Sequence, residues 1–139
     1  MPHTLTVRAT YADTDQMGMV YYGNYFTWFE MGRTELLRTA GLAYRAVEQQ
    51  GVFLPVRESY CKYQKSVRYD DEIAVKTWLT AATSATIRFD YEISKENAVL
   101  ATGYTVHFFM NLQGRPIKPP KNIMAVIKSV SERSLPHAG

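Results

Sequence analysis

Tyr25-Phe26-Thr27-Trp28-Phe29-Glu30-Met31-Gly32-Arg33-Thr34-Glu35-Leu36-Leu37-Arg38-Thr39-Ala40 is the stretch where the chain changes its period. Tyr25, Phe29, Gly32, Leu36 and Ala40 recur at three- and four-residue steps, with Trp28 beside them. Arg33, Glu35 and Arg38 take the other side. That spacing predicts a helix with one apolar stripe. Asn24 is the expected N-cap and Gly41 the expected C′ stop. Glycine inside a helix costs about 1 kcal/mol relative to alanine, so Gly32 predicts a close approach by another element.

On either side of this helix the period is two. Leu5, Val7, Ala9 and Tyr11 alternate with Thr6, Arg8 and Thr10, which predicts a strand over 5–11. A second, short helix is expected over 43–50, ended by Gly51. Residues 52–68 read as extended with an interruption near Arg57-Glu58, and Asp70-Asp71 as a turn. Over 73–79, Ile73, Val75, Thr77 and Leu79 share a face. Over 86–93, Ile87, Phe89, Tyr91 and Ile93 oppose Thr86, Arg88, Asp90 and Glu92, the pattern of a half-buried antiparallel strand. Lys95-Glu96-Asn97 is a hairpin loop, and 98–110 an apolar strand broken by Gly103. Residues 111–114 turn the chain, and Pro119-Pro120 precedes an amphipathic helix over 121–128. A long apolar helix and an antiparallel sheet with one apolar face bury each other, so the fold class is α+β, with the sheet wrapped round the helix.

The chain has 139 residues, which is one domain, 1–139. Hydrophobic residues at 46% and charged residues at 21% exclude a disordered chain. The single cysteine, Cys61, excludes an internal disulfide and favours a reducing compartment. No apolar run approaches the ~20 residues of a membrane span. Met1-Pro2-His3-Thr4 does not open a signal peptide, so a cytoplasmic location is expected. The net charge is +3, but residues 112–139 hold Arg115, Lys118, Lys121, Lys128 and Arg133 against Glu132. The basic character therefore belongs to the C-terminal end. A nucleic-acid binder spreads its cations over a groove-sized surface, so none is expected as a partner. A basic end suits a few phosphates or a solvated tail.

Strong catalytic motifs are missing: no Gly-x-Ser-x-Gly elbow, no Walker loop and no Gly-x-Gly-x-x-Gly. His3, His107 and His137 share no metal spacing. His107 lies in a strand and reads as structural, and Cys61 as an inert thiol. Asp13-Thr14-Asp15-Gln16-Met17-Gly18 remains. As a calcium loop it fails, because Met17 and Asn24 stand where ligands are wanted. It reads either as a polar turn or as a carboxylate pair beside the aromatic helix start Tyr21-Tyr22-Gly23-Asn24-Tyr25. A carboxylate packed near rings loses solvation and becomes a better base. A helix N-terminus offers free N–H groups and positive partial charge. One group attacks or deprotonates water while the other holds an oxyanion, a hydrolase built without metal or serine.

The run from Tyr11 to Tyr25, Tyr11-Ala12-Asp13-Thr14-Asp15-Gln16-Met17-Gly18-Met19-Val20-Tyr21-Tyr22-Gly23-Asn24-Tyr25, resembles the signature of hotdog-fold acyl-CoA thioesterases of the 4-hydroxybenzoyl-CoA thioesterase type. Met31-Gly32-Arg33-Thr34-Glu35-Leu36-Leu37 continues the likeness. The resemblance implies a hotdog fold, a central helix wrapped by an antiparallel sheet of about five strands. It implies homodimers whose sheets join, or homotetramers, with active sites between subunits. It places the catalytic carboxylate at Asp15, a structural carboxylate at Asp13, and the backbone N–H of Tyr22 against the thioester oxygen. Gly23 and Asn24 shape that turn, and Glu30 matches a position that reaches the acyl pocket. No separate cofactor or metal is implied, because coenzyme A arrives as part of the substrate.

One branch of that family carries an arginine–lysine cluster for the coenzyme A phosphates in the hairpin that reads Ala81-Ala82-Thr83-Ser84-Ala85 here. Arg88, Arg115, Lys118 and Lys121 are the available substitutes. Tyr25, Trp28, Phe29, Val52 and Phe53, some of them from a partner chain, are the expected pocket lining, which suits rings and alkyl chains alike. Two rival readings stay open: a thioesterase using Glu30 or Glu35 of the central helix, and a non-catalytic acyl-CoA binder. A dehydratase of this fold needs a histidine near the helix–loop junction, and none stands between His3 and His107.

Overall fold

The computed structural model describes residues 2–134. His137 lies outside them, and so do the side chains of Glu132 and Arg133 from the basic end. Five strands, β1 (His3–Arg8), β2 (Val56–Tyr63), β3 (Glu72–Ala82), β4 (Thr86–Lys95) and β5 (Ala98–Phe108), form one sheet in the order β1-β3-β4-β5-β2. Every neighbouring pair is antiparallel. Helix α1 (Asn24–Thr39) fills the sheet's inner face, α2 (Tyr44–Gln49) follows it, and α3 (Lys121–Ser134) packs on β3.

The period-two pattern sets this packing. Val75 pairs with Ile93, Thr77 with Tyr91 and Leu79 with Phe89, all six turned inward and buried. Onto them α1 lays Tyr25, Trp28, Phe29, Gly32, Leu36 and Leu37. The Phe29 ring stacks on Tyr91 at 4.2 Å. Each such side chain contributes about 1.5–3 kcal/mol by leaving water. Gly32 is the expected close approach, because a Cβ there would run into the Thr77 side chain and reach Val75 Cγ1 at 3.1 Å. Gly41, at φ +87°, stops the helix as expected. The interruption near Arg57-Glu58 is a register shift between Val56 and Glu58.

Several details differ from the sequence expectation. The first strand ends at Arg8, and Tyr11–Asp13 is a 3-10 turn. Asp13 Oδ2 accepts from Thr10 N at 2.8 Å and from Thr10 Oγ1 at 3.0 Å, which pulls the chain out of the extended form. Gly23 holds the N-cap position of α1, and Asn24 instead donates Nδ2 to the Asp13 carbonyl at 2.8 Å. Gly103 does not break β5. It leaves room for the Phe29 ring, whose Cε2 would lie 2.7 Å from a Cβ, and for the Tyr60 carbonyl. The last helix runs past residue 128 to Ser134.

Arg33 is half-buried and reaches inward. Its Nη1 donates to Tyr91 Oη at 3.5 Å. Tyr91 Oη lies 2.6 Å from Thr105 Oγ1, and Thr105 Oγ1 lies 2.8 Å from His107 Nε2. His107 Nδ1 lies 3.0 Å from the Leu54 carbonyl, which can only accept. Nδ1 therefore carries the proton, Nε2 accepts from Thr105, and Tyr91 donates to Thr105. Burial, with the Arg33 charge adding to it, pushes the His107 imidazole down to about 4. His107 is a neutral, structural histidine.

Candidate active site

The site is built from a small hairpin. Thr14 bridges Val20, and Asp15 N donates to the Met19 carbonyl at 2.7 Å. Gly18 closes the loop by donating to the Asp15 carbonyl at 3.1 Å, and its φ of +76° suits glycine. The hairpin is tied to the body by Val20 N, which donates to the Val67 carbonyl at 2.8 Å. Asp13 has the structural part: its side chain fixes Thr10, and its carbonyl accepts from Tyr21 N at 2.9 Å and from Asn24. One backbone oxygen thus fastens the loop to the start of α1.

Asp15 is exposed. Its Oδ1 accepts from Met17 N at 2.8 Å and from Met19 N at 3.3 Å. Among the described residues its Oδ2 accepts no hydrogen bond. The carboxylate is thus oriented by two amides with one oxygen left open. The sequence reading had it losing solvation against rings, and in the single chain it does not, because the loop tip stands clear of the aromatic residues that close over the core.

The start of α1 is the second half of the site. Asn24 N bonds the Tyr21 carbonyl, Tyr25 N that of Tyr22 and Phe26 N that of Gly23, at 2.9, 3.3 and 3.3 Å. Among the described residues the N–H groups of Tyr22 and Gly23 make no hydrogen bond. The first turn holds no acidic residue and the N-cap no side-chain bond, so the positive end of a 16-residue helix is uncompensated. A Cβ at Gly23 would lie 2.7 Å from the exposed Tyr21 ring, which would have to swing aside. Tyr63, at the end of β2, donates its hydroxyl to the Tyr22 carbonyl at 3.1 Å. Its ring stands edge-on to Tyr25 at 4.8 Å. Nothing local in sequence connects residue 63 with residue 22, so sequence reasoning missed it.

Tyr25 is a supporting core residue. It is 3% exposed, its hydroxyl accepts from Val67 N at 3.4 Å, and burial raises its phenol above the usual range. Trp28, Phe29 and Val52 are likewise in the core rather than lining an open pocket, because the sheet closes over their stripe. Phe53 is half-buried and bridges Met110. The accessible aromatic residues ring the loop instead: Tyr11, Tyr21, Tyr22 and Tyr69, with Met17 at its tip. Tyr11 and Tyr69 meet edge-on at 5.6 Å, and Tyr69 N donates to the Gly18 carbonyl at 3.4 Å.

The remaining expected residues lie in three separate places. Glu30 and Glu35 share a shallow groove of about 290 Å³ with Leu5, Met31 and Thr34. Arg88 lines a groove of about 530 Å³ on the outer sheet face. There its guanidinium is held by both Asp90 oxygens at 2.9 and 3.2 Å and lies 4.1 Å over the Tyr104 ring. Lys118 and Lys121 do converge, in a groove of about 350 Å³ with Lys128, Pro119, Met124 and Ser84. Ser84 stands in the hairpin between β3 and β4, so the basic end folds back onto the uncharged hairpin. Lys128 follows Lys121 by two helical turns, a signal present in the sequence. Among the described residues, no three His, Cys, Asp or Glu side chains are grouped to hold a metal ion, and no helix is long and apolar enough to cross a membrane.

Residues 9–127 match the model of the thioesterase-like superfamily. The acyl-CoA thioester hydrolase YbgC of Escherichia coli O157:H7 is 31% identical, over 88% of this chain and 92% of that protein. Among solved structures, DHNA-CoA thioesterase from Staphylococcus aureus superimposes with a TM-score of 0.89 at 30% identity, over 94% of this chain and 91% of that one. The hypothetical protein TT1821 from Thermus thermophilus does so with a TM-score of 0.88 at 32% identity, over 94% and 98%. A five-stranded antiparallel sheet around a central helix agrees with these relatives. The chain belongs to the thioesterase-like superfamily of hotdog proteins, as an acyl-CoA thioester hydrolase.

Proposed function

We propose that Asp15 and the start of α1 carry the hydrolysis. The observation behind this reading is that a carboxylate with one oxygen open and two unbonded N–H groups belong to one hydrogen-bonded unit, joined through the Asp13 carbonyl. Asp15 Oδ2 attacks the thioester carbonyl to give a mixed anhydride, which water then opens, or it takes a proton from the attacking water. In both routes the Tyr22 N–H and the helix dipole stabilise the oxyanion. The C–S bond breaks and the thiolate departs. Its conjugate acid has a pKa of about 8.5, so no strong general acid is needed.

Lys118 and Lys121, with Lys128 beside them, take the phosphates of coenzyme A at the β3–β4 hairpin. A second copy adds along β2, one of the two edge strands of the sheet, where Val56, Tyr60 and Tyr63 are 47%, 47% and 42% exposed. That edge ends at Tyr63 beside the helix start, so pairing there puts the site between subunits. Light scattering is expected to give a dimer or tetramer, and a monomer would remove this part of the reading. The cytoplasm, with its reduced thiols, is the proposed compartment.

The test is release of free thiol from aromatic, short-chain and long-chain acyl-CoA, followed with a colorimetric reagent. Turnover that collapses in Asp15→Asn supports the assignment. Turnover kept in Asp15→Asn and lost in Glu30→Gln or Glu35→Gln moves the chemistry to the central helix. Saturable binding with no thiol released makes the chain a binder.

A further inference from the structure

The Tyr22 carbonyl accepts two hydrogen bonds, from Tyr25 N at 3.3 Å and from the Tyr63 hydroxyl at 3.1 Å. That carbonyl and the Gly23 N–H belong to the same planar peptide. Hydrogen bonds to the oxygen of a peptide draw charge away from its nitrogen and make its N–H a stronger donor, by about 10–30% per bond. The Gly23 N–H is one of the two groups left unbonded at the helix start. The Tyr25 bond is a local i→i−3 bond of the 3-10 type that is frequent at helix starts. The Tyr63 bond is an addition from another element, 41 residues away in sequence.

Tyr63 is well placed to hold this position. Its ring stands edge-on to Tyr25 at 4.8 Å and 87°, and to Tyr22 at 6.3 Å and 82°. Tyr25 is itself buried and anchored on Val67 N. The buried Tyr25 ring holds one side of Tyr63, whose hydroxyl also meets the Cys61 thiol. Partial desolvation raises the Tyr63 phenol above its ordinary range although the residue is 42% exposed, with Cys61, Tyr25 and Tyr22 adding to it, so the hydroxyl stays protonated and can donate at any working pH.

We propose that Tyr63 is a positioning residue for thioester hydrolysis: by donating to the Tyr22 carbonyl it fixes and polarises the Tyr22–Gly23 peptide, so that the Gly23 N–H joins that of Tyr22 in stabilising the oxyanion. This rests on the reading of the helix start as the oxyanion site. Direct loss of an oxyanion donor costs ~10²–10³ in rate. Tyr63 acts one bond further away, so its loss is expected to cost about tenfold.

The test uses Tyr63→Phe, which keeps the ring and removes the hydroxyl. The expected result is a kcat about tenfold lower with KM within about twofold, because the bond acts on the developing charge and not on substrate binding. A structural role would not move the second readout, the carbonyl stretch of benzoyl-CoA bound to the slow Asp15→Asn protein, taken by isotope-edited infrared difference. It is expected to shift back toward the frequency in water when Tyr63→Phe is added. A kcat within twofold of the parent, or an unmoved stretch, overturns the role of Tyr63 while leaving the helix start in place. A bound carbonyl already at the frequency in water, with Tyr63 present, sinks both readings. Should Tyr63→Phe fail to fold, 3-fluorotyrosine at position 63 preserves the shape and strengthens the donor. The stretch should then move further from the value in water and kcat should rise, and no change in either overturns the proposal.

Discussion

One helix carries two polar regions of opposite kind. In the middle of α1, Arg33 opens a relay through Tyr91, Thr105 and His107 to the Leu54 carbonyl, and each group has its partner. At its start, the N–H groups of Tyr22 and Gly23 are open, and the nearby Asp15 carboxylate uses one oxygen and leaves the other free. A buried polar group without a partner costs ~1–3 kcal/mol, so the relay had to be closed for the core to form. The helix start lies at the surface, where water can satisfy it at little cost.

The largest effect expected from this contrast is that of Asp15→Asn. The amide oxygen still accepts from Met17 N and Met19 N, so the loop keeps its shape. The open oxygen loses its charge and basicity. Acyl-CoA turnover should fall by at least ~10²-fold, with the unfolding temperature unchanged to within a few degrees. Thiol release and thermal melting measure the two. A large loss of stability would blur the contrast, and near-normal turnover would break it.

The relay gives the converse prediction, a loss of stability with pH. His107 is pushed down to about 4 in the folded chain and lies near 6.5 when unfolded. The unfolded state therefore binds more protons between these values, and stability falls as pH drops through that window. The loss begins below about pH 6.5, is complete below about pH 4, and amounts to roughly 3 kcal/mol at 1.36 kcal/mol per unit. Urea unfolding at pH 7 and pH 4 should show this loss in the parent chain and a much smaller one in His107→Gln. Equal slopes would mean that the imidazole is not held neutral by the core.

How far the sequence could be read follows the same division. Residues whose partners are near in sequence, or repeat with a fixed period, were legible: the α1 stripe, the alternation of β3 and β4, Gly41, and Asp13 as a structural carboxylate. Asp15 and the helix start stand out in the sequence as a motif, and their role is the proposal above. Groups whose partners come from distant elements were not. Arg33 sits among polar neighbours in sequence yet turns inward to Tyr91, and Tyr63 meets Tyr22 only through the closure of β2 on the helix. Tyr25, Trp28 and Phe29 were expected to line a pocket because aromatic residues suit both a pocket and a core. Only the sheet's closure decides between them.

Gly103 is a case in point, since it was expected to interrupt β5 and instead admits Phe29. Gly103→Ala sets a Cβ against the Tyr60 carbonyl and the Phe29 ring, neither of which can step aside without moving backbone or core. A destabilisation of ~1–3 kcal/mol is expected. Gly32→Ala meets side-chain atoms of Thr77 and Val75, and alanine returns about 1 kcal/mol of helix propensity. It should cost clearly less. Chemical denaturation of the two variants ranks them, and the reverse order would mean that α1 is seated on β3 more tightly than on β5.

The lysine groove is a third kind of polar region, open like the helix start but charged and held by another helix. Lys118, Lys121 and Lys128 surround it, with Ser84 at the hairpin. On the proposed reading they meet a part of the substrate that does not change during the reaction, and such contacts stabilise ground and transition states alike. Removing Lys118 and Lys121 together as alanines should raise KM about tenfold and leave kcat within about twofold. The contrast with Asp15, where kcat carries the loss, separates binding from chemistry. Salt should weaken the parent's binding in the same direction, because exposed charges are screened over ~8–10 Å. Coenzyme A should inhibit the parent more strongly than dephospho-coenzyme A, which lacks the 3′-phosphate, and the double variant should lose that preference. If KM stays unchanged and both inhibitors act equally on the parent, the three lysines are a solvated surface and the phosphates are held elsewhere.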